Sequence, residues 1–230
     1  LYYSEVNINL NGGLGDVVAG QKGILVDSGF TEQMTAVRGD NCNIWLLLHT
    51  NSSNTFKAFK ILPSGLDPIP VTSFFNTPFN DGYSCNYMVI APARNKVASS
   101  TVTSGITMYD FDTGTGLFSN MQVIDTSGQG VGGGIAFSPS GNKLYYNLDN
   151  YLYQTDISSG SALTKTPIMS YYSCNQIKLG PDQKLYLPYF TGLLRINAPD
   201  LSYPACDLDP LANLLPLCTN TYPAISMPNV

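Results

Sequence analysis

Apolar and polar positions along the chain alternate in short runs that turn residues separate. The run Ile135–Phe137 is followed by a turn at Ser138–Asn142, a second run at Lys143–Tyr146 and a third at Tyr151–Asp156. Runs of this length, bounded by Gly, Pro, Asn and Ser, predict β-strands joined by tight turns. No segment of convincing length has the 3.6-residue period of a helix, so the pattern predicts an all-β protein.

This strand pattern recurs along the chain. In three segments an apolar strand is followed by a turn with proline, a lysine before the next strand, and a strand that ends in Asp before a glycine turn. The shared prolines are Pro92, Pro139 and Pro181, which are 47 and 42 residues apart. A period in the forties with four short strands is typical of one blade of a β-propeller.

The repeats predict a single β-propeller of four-stranded antiparallel blades over residues 1–230, with about four and a half blades present. One four-stranded sheet cannot bury both of its faces alone, so neighbouring blades are expected to stack. Leu1 already falls in a predicted strand, and we expect the chain to begin inside a larger polypeptide. Either the upstream sequence completes the ring, or the last segment, Thr221–Val230, closes it with an N-terminal strand. The predicted sections are the outer strands of a partial blade at 1–33, blades at 34–82, 83–130 and 131–171, and a blade with a C-terminal closing segment at 172–230.

Composition narrows the class of partner. Charged residues make up only 12 % of the chain, against ~25 % in ordinary soluble domains, and 43 % are hydrophobic. The net charge is −5 and no run of Lys or Arg occurs, which argues against nucleic acid and anionic lipid as partners. The apolar run Ile44–Leu48 is far shorter than the ~20 residues that span a bilayer, so we expect no direct membrane insertion.

Several stretches carry a resemblance to a known family. They are Leu1–Val6, Leu10–Val18, Trp45–His49, Phe137–Tyr145, Leu179–Tyr186 and Ser226–Asn229. At these residues the chain resembles the WD-repeat-like β-propeller module of secreted and cell-surface Bacteroidota proteins, often found with PKD repeats and a gliding-motility-associated C-terminal sorting domain. The family usually carries further blades upstream, and its His-Asn-Gly-like turn is replaced here by Arg38–Asn43.

The resemblance implies export through the type IX secretion route, to the outer cell surface or the medium. It implies a module that binds a protein partner of the cell envelope or secretion machinery, or a glycan, in adhesion or gliding motility. It places no catalytic residue on this chain.

The residues themselves favour a protein that is not an enzyme. The only histidine, His49, lies in an apolar strand and is expected to be structural, which argues against a Ser-His-Asp or Cys-His site. No His or Cys spacing fits zinc, and we predict no metal and no cofactor. Two alternatives stay open. One is a propeller hydrolase or lyase that acts on polysaccharide with Asp110, Asp112 or Asp149, and the other is a purely structural subunit of a large envelope assembly.

The five cysteines are an odd number. Cys206 and Cys218 enclose a Pro- and Leu-rich loop outside the repeats, and export permits oxidation, so they are the candidate disulfide. Cys85 and Cys174 each lie seven residues before a repeat proline and are expected to be buried small residues, with a metal or ligand pair as the alternative. The sequence leaves the state of Cys42 open.

Aromatic residues are the remaining resource for binding. Most alternate along strands and are expected to pack between blades. Two pairs lie near strand ends, where the loops of a propeller gather on one face. The predicted ligand or partner face consists of Tyr171, Tyr172, Tyr189 and Phe190.

Overall fold

The structure, a computed structural model, describes residues 1–51, 53–76, 87–101, 105–126, 133–158, 163–170, 176–189 and 192–209, with the backbone alone at Tyr189 and Gly192. The chain divides into two compact units, Leu1–Phe30 and Thr31–Val230. In the described part every regular element is a β-strand, apart from one 3-10 turn at Asn11–Gly13. The all-β prediction is confirmed.

The unit Leu1–Phe30 contains two small antiparallel ladders. β1 (Tyr2–Tyr3) pairs with β4 (Ile24–Leu25), and β2 (Val6–Asn7) pairs with β3 (Asp16–Val17). Strands of two residues bury little, and most side chains of this unit are exposed. The assignment of section 1–33 to a partial blade stays a prediction.

Four larger antiparallel sheets follow in the described part of the chain, each formed by consecutive strands. Sheet I contains β5 (Phe30–Arg38), β6 (Ile44–Thr50), β7 (Thr55–Leu62), β8 (Gly65–Leu66) and β9 (Val71–Phe74), and both β8 and β9 pair with β7. Sheet II contains β10 (Tyr87–Ile90), β11 (Lys96–Thr101), β12 (Gly105–Phe111) and β13 (Phe118–Asp125). Sheet III contains β14 (Ile135–Phe137), β15 (Lys143–Leu148), β16 (Tyr151–Asp156) and β17 (Lys165–Ser170). Sheet IV contains β18 (Lys178–Leu179), β19 (Leu185–Tyr189), β20 (Gly192–Ile196) and β21 (Leu208–Asp209).

The strands form where the alternation of apolar and polar residues places them. In sheet III, β14 and β16 have the bounds that the sequence predicts, and β15 extends two residues beyond the predicted end at Tyr146. In sheet I, β5 begins at Phe30, four residues before residue 34, where the sequence predicts that this blade begins. Sheets II to IV have the predicted four strands, whereas sheet I has five, because both β8 and β9 pair with β7. Antiparallel sheets of this kind in sequence order support a propeller-like fold, while the number of blades stays a prediction.

Consecutive sheets pack face to face through apolar cores. The core between sheets I and II is formed by Val37, Trp45, Leu47, Phe56, Ala58, Met88, Val97, Tyr109, Phe111 and Phe118. The core between sheets II and III includes Ala98, Ile106, Met108, Ile135, Phe137, Leu144 and Tyr146. The core between sheets III and IV includes Tyr145, Leu152, Leu185, Leu187, Leu194, Ile196 and Cys206. Each large apolar side chain buried in this way contributes about 1.5–3 kcal/mol to stability.

The junction of sheets I and II centres on Trp45, whose side chain is only 1 % exposed. Its indole Nε1 donates to the carbonyl of Thr113 at 2.8 Å, in the loop between β12 and β13. Gly116 of the same loop has φ +81°, and a Cβ there would lie 2.7 Å from the indole ring. Only glycine permits this backbone conformation together with this approach.

The junction of sheets II and III contains a charged pair. Asp125 at the end of β13 is buried and accepts a hydrogen bond from Lys165 of β17 at 2.7 Å. The Tyr146 hydroxyl donates to the same carboxylate at 3.1 Å, and the Lys165 ammonium lies 4.0 Å from the centre of the Tyr153 ring. A buried carboxylate is tolerated where a cation and donors satisfy it, so removal of Lys165 would take the cation of this ion pair away from a buried charge.

The turn between the first two strands closes in the same way in all four sheets, with a backbone N–H bonded to the carbonyl five or four residues later. The donor and acceptor pairs are Gly39 with Asn43, Ala91 with Lys96, Ser138 with Lys143, and Gly180 with Lys184. Sheet I therefore has Asn43 at the position where the other sheets have lysine. The Asn43 side chain is buried, and among the described residues neither its Oδ1 nor its Nδ2 has a hydrogen-bond partner.

We predict that Asn43→Leu stabilises the protein. A buried amide without hydrogen bonds costs about 1–3 kcal/mol, and an apolar side chain of similar size removes that cost, so the free energy of unfolding should rise by about 1 kcal/mol. Chemical denaturation measures the change. Lys143→Met, at the same repeat position, removes a paired lysine and should lower stability; a fall for Asn43→Leu as well would contradict the prediction.

Candidate functional site

Sheets II and III carry the same ion pair at the same place. The lysine that opens the second strand lies opposite the aspartate near the end of the third, in the registers Lys96 with Asp110 and Lys143 with Asp156. The Lys96 ammonium donates to Asp110 Oδ1 at 2.7 Å, and Lys143 donates to Asp156 Oδ2. These are the lysine and the aspartate of the sequence repeat.

Both carboxylates of these pairs are held in the ionised form. The hydrogen bond from Lys143 lowers the pKa of Asp156 to about 2. At Asp110 partial burial acts to raise the pKa, but the hydrogen bonds from Lys96 and Asn120 outweigh it, so the pKa lies below its usual value. Each side chain is therefore a hydrogen-bond acceptor at neutral pH.

A bulge shapes the outer edge of sheet II. The register of β12 on β13 steps from Met108–Gln122 to Asp110–Ser119, so β13 has one residue more than β12 in this interval. Asn120 lies inside the bulge with φ +48°, a left-handed conformation that asparagine tolerates better than most residues. The bulge directs the Asn120 amide towards β12, where it donates to Asp110 Oδ2 at 2.7 Å.

An open cavity of about 350 Å³ lies over this edge of sheet II. We refer to it as the sheet II cavity. Its lining combines an ammonium, a carboxylate, two side-chain amides and three larger apolar or aromatic residues. The lining residues are Lys96, Met108, Tyr109, Asp110, Asn120, Met121 and Gln122.

The sheet II cavity presents donors and acceptors side by side. Lys96 and Asp110 bond to each other and have further capacity, since an ammonium has three donors and each carboxylate oxygen can accept a second hydrogen bond. The Gln122 side chain is half-buried and makes no hydrogen bond within the described residues, so its amide can both donate to and accept from a ligand. A few polar groups set among apolar side chains are typical of a ligand site.

A buried polar network lies behind the cavity wall. His49 Nε2 lies 3.2 Å from Asn54 Oδ1, and the Tyr109 hydroxyl donates to the same oxygen at 3.4 Å. Because this oxygen can only accept, the contact with His49 requires the proton on Nε2. Asn54 Nδ2 lies 3.6 Å from the sulfur of Met121, so the network touches two residues of the cavity lining.

Burial keeps the histidine neutral. His49 is fully buried, and its ring packs edge-on against Phe56 with centroids 4.5 Å apart. Burial lowers the pKa of His49 to about 4, and the hydrogen bond with Asn54 opposes this shift only in part. A neutral histidine enclosed in the core has the structural role that the sequence suggests for it.

The three aspartates that the sequence offers for catalysis have separate local roles. Asp112 accepts the backbone N–H groups of Gly114 and Thr115 at 2.8 and 2.9 Å and so stabilises a turn. Asp149 and its neighbour Asn150 form the two-residue turn between β15 and β16, with φ +49° and +62°. Of the three, Asp110 alone lines the sheet II cavity.

The other predicted site residues are placed only in part. Tyr171, Tyr172 and Phe190 lie outside the described residues, and only the backbone of Tyr189 is described, so the predicted ligand face stays a prediction. Cys206 is buried and forms no disulfide with the other described cysteine, Cys42, while its proposed partner Cys218 lies outside the described residues, as do Cys85 and Cys174. The disulfide likewise stays a prediction.

The described part of the chain contains no helix with the length and apolar character needed to cross a bilayer. Nor do the same residues bring three or more His, Cys, Asp or Glu side chains together in a group that could hold a metal ion.

Sequence reasoning named Asp110 but missed the residues that surround it. The signal for Lys96 was present, because the lysine and aspartate recur 14 residues apart in sheet II and 13 apart in sheet III. Asn120 and Gln122 gave no such signal. Asn120 reaches Asp110 through the bulge in β13, and Gln122 reaches the cavity through its register opposite Met108.

Comparison with solved structures supports the fold. The chain is similar to a protein from Lactobacillus plantarum (TM-score 0.58, 13 % identity, 90 % of this chain and 62 % of that one). It is similar to a functionally unknown protein from Desulfotomaculum acetoxidans (TM-score 0.57, 13 % identity); the match covers 90 % of this chain and 61 % of that one. It is also similar to a candidate 6-phosphogluconolactonase from Bacteroides fragilis (TM-score 0.52, 15 % identity); the match covers 84 % of this chain and 59 % of that one. The chain thus spans about three fifths of the length of these structures. The sequence matches no protein-family model and no curated protein.

One of these matches corrects an expectation from the sequence. The expectation that the protein is not an enzyme is wrong in its reasoning, because a candidate enzyme, the Bacteroides fragilis 6-phosphogluconolactonase, has a similar fold. A single histidine and scattered carboxylates therefore do not exclude catalysis on this scaffold. Identities of 13–15 % show a shared fold and carry no activity with them.

The lowered pKa of His49 predicts a pH-dependent stability. The folded state holds the neutral form down to about pH 4, whereas the unfolded chain takes up a proton near pH 6.5, so stability is full above 6.5 and falls as the pH drops towards 4. The contribution of His49 to this fall is up to about 3 kcal/mol. His49→Gln keeps a donor for Asn54 without a titrating ring and should flatten the pH dependence between 6.5 and 4. Urea unfolding at pH 7.5, 5.5 and 4.5 tests this, and equal slopes for the two proteins would contradict it.

Proposed function

We propose that this chain is the binding section of an exported bacterial surface protein, and that the sheet II cavity takes part in binding a protein partner of the cell envelope. The observation that carries the proposal is the cavity of about 350 Å³, where Lys96, Asp110, Asn120 and Gln122 converge among apolar side chains. Its volume lies within the range of ~300–1,000 Å³ that is usual for ligand sites.

Two features support the location that we propose. The chain has 12 % charged residues and many Asn, Ser, Thr and Gly, and its repeat stretches resemble the propeller modules of secreted and cell-surface Bacteroidota proteins. That resemblance supports type IX secretion and a role in adhesion or gliding motility. The face at Tyr171, Tyr172, Tyr189 and Phe190 is proposed as a further contact surface for the same partner.

Surface exposure and cavity-dependent binding test this proposal together. Proteinase K added to intact cells should remove the protein, while a cytoplasmic marker survives. Purified wild-type chain should capture a cell-envelope protein that Lys96→Met captures at least tenfold less well, because a hydrogen bond to a charged group is worth about a factor of ten or more. The control is Lys22→Met, which removes an exposed lysine in the unit Leu1–Phe30.

Two results would count against the proposal. Digestion only after lysis would exclude a surface location. Capture of a glycan instead of a protein, with the same dependence on Lys96, would keep the cavity and change the partner.

A second candidate function is hydrolysis of a sugar lactone. It is favoured by the fold shared with a candidate 6-phosphogluconolactonase and by the ionised Asp110 next to the Lys96 ammonium in the cavity. In this scheme the Asp110 carboxylate takes a proton from the water that attacks the carbonyl carbon, and the Lys96 ammonium stabilises the negative charge that develops on the carbonyl oxygen. The tetrahedral intermediate then collapses with cleavage of the ring C–O bond, and the proton held by Asp110 passes to the departing ring oxygen, which becomes a hydroxyl.

Proton release on addition of 6-phosphogluconolactone tests the second candidate. An enzyme should accelerate ring opening above the spontaneous rate, and Asp110→Asn should reduce that acceleration by about 10²-fold or more, as expected for loss of a general base. Lys22→Met serves again as the control. No acceleration by the wild-type chain, or equal rates for wild type and Asp110→Asn, would exclude this role for Asp110.

A further inference from the structure

The connection between β2 and β3 contains two residues whose groups can react with each other. β2 ends at Asn7 and β3 begins at Asp16, with the 3-10 turn Asn11–Gly13 between them. Asn11 is the only asparagine of the chain that is followed by glycine. In such a pair the backbone nitrogen of the glycine can attack the side-chain carbonyl carbon of the asparagine, because the glycine has no Cβ to hinder the approach.

Neither reacting group is engaged elsewhere. Asn11 is exposed, and neither its side chain nor the backbone N–H of Gly12 makes a hydrogen bond within the described residues. Both residues have a positive φ, +51° for Asn11 and +66° for Gly12, and a Cβ built on Gly12 would meet no atom within 4 Å. The amide of Asn11 and the nitrogen of Gly12 are therefore both open to solvent.

The turn that holds these residues is weakly fixed. Its backbone hydrogen bonds run from the Gly13 N–H to the Leu10 carbonyl at 3.1 Å and from the Leu14 N–H to the Asn11 carbonyl at 3.3 Å. All of these residues are exposed, and exposed backbone hydrogen bonds far from a core open at small cost in free energy. The backbone can thus rotate the Gly12 nitrogen towards the Asn11 side chain.

Two other asparagines of the same stretch lack this combination. Asn7 precedes the β-branched Ile8, and its Oδ1 accepts the backbone N–H of Asn9 at 2.9 Å. Asn9 precedes Leu10. A side chain on the following residue hinders the attack of its nitrogen, so Asn7 and Asn9 are internal references with similar exposure.

We propose that Asn11 is a site of spontaneous covalent modification, at which the folded chain converts asparagine to aspartate and isoaspartate. The Gly12 nitrogen loses its proton and forms a bond to the Asn11 Cγ, the Cγ–Nδ2 bond breaks, and ammonia leaves. Water then opens the resulting succinimide ring at one of its two C–N bonds. Cleavage at Cγ gives aspartate, and cleavage at the main-chain carbonyl gives isoaspartate.

The modification changes both the charge and the backbone of this connection. Each product has a carboxylate in place of a neutral amide, so the net charge of −5 becomes more negative by one. In isoaspartate the main chain passes through Cγ, and the carbonyl that accepts the Leu14 N–H becomes part of the free carboxylate. The modified fraction increases with the age of the molecule and does not depend on any binding at the sheet II cavity.

Peptide mapping of aged protein tests the inference. The purified chain is kept at pH 7.5 and 37 °C for several days and cleaved with trypsin, which releases residues 1–22 as one peptide because Lys22 is the first lysine or arginine of the chain. Mass spectrometry should show a gain of about 1 Da in this peptide. Fragmentation should place the gain at Asn11, at a rate at least about tenfold above that at Asn7 or Asn9. An unaged sample corrects for reaction during digestion.

The contribution of the fold is measured separately. A synthetic peptide of residues 1–22, aged in the same buffer, gives the rate of the unstructured segment. Because the turn leaves both groups free, the folded chain should react within about tenfold of this peptide. Electron-transfer fragmentation should identify isoaspartate among the products of both samples.

Two glycine variants assign the nucleophile. Gly12→Ala should slow the reaction about tenfold or more, because the new Cβ hinders the attack. Gly13→Ala is the matched control: Gly13 also has a positive φ, of +90°, and also has no atom within 4 Å of a built Cβ, but its nitrogen is not the nucleophile. Its rate should stay close to that of wild type, and thermal unfolding of each variant checks that it is folded.

Three results would overturn the inference. They are equal rates at Asn11 and at Asn7 or Asn9, equal rates in wild type and Gly12→Ala, and a folded chain that reacts more than about tenfold slower than the free peptide, since the turn would then protect Asn11. The proposed function stands or falls independently of these results, because it concerns the sheet II cavity.

Discussion

The structure depends on one constraint, which is that a single four-stranded sheet leaves both of its faces exposed to water. Sheets I to IV meet this constraint by stacking in sequence order, and each apolar core contains side chains from two neighbouring sheets. The polar contacts of the junctions differ, although the apolar packing is similar. Trp45 donates a hydrogen bond across the first junction, and Asp125 and Lys165 form an ion pair at the second. At the third junction Gln154 donates a hydrogen bond to the carbonyl of Leu201. Binding properties can therefore differ between repeats without loss of the common fold.

Strand positions could be predicted from the sequence because a half-buried strand has apolar and polar residues in local alternation. In β5 the buried Gln33 and Val37 alternate with exposed neighbours, and turns rich in Gly, Pro, Asn and Ser mark the ends of the runs. The ion pairs are also visible in the sequence, since a lysine and an aspartate recur at similar spacing in the repeats of sheets II and III. What the sequence could not show depends on the register between strands. The extra residue at Asn120 and the approach of residues 199–203 to Gln154 result from pairing and packing that no local pattern encodes.

The scarcity of histidine was a weaker guide to function than the lysine and aspartate residues that the sequence contains. The single histidine is a neutral core residue, as its apolar strand suggests, yet its unsuitability for catalysis says nothing about Lys96 and Asp110 at the cavity. A propeller-like scaffold offers the same outer edge in each repeat, and small changes at this edge decide what it can do. Asn43 replaces the lysine in sheet I, and Ala98 replaces a tyrosine in sheet II.

Trp45 gives the molecule a built-in optical reporter. It is the only tryptophan in the chain, it is buried, and it is hydrogen-bonded across the junction of sheets I and II. Its fluorescence therefore senses the opening of that junction, whereas far-ultraviolet circular dichroism senses the loss of strand structure in all the sheets. If the stacked sheets separate one at a time, the two signals report different transitions along a single denaturation curve, and the coincidence or separation of these transitions measures how cooperatively the stack holds together.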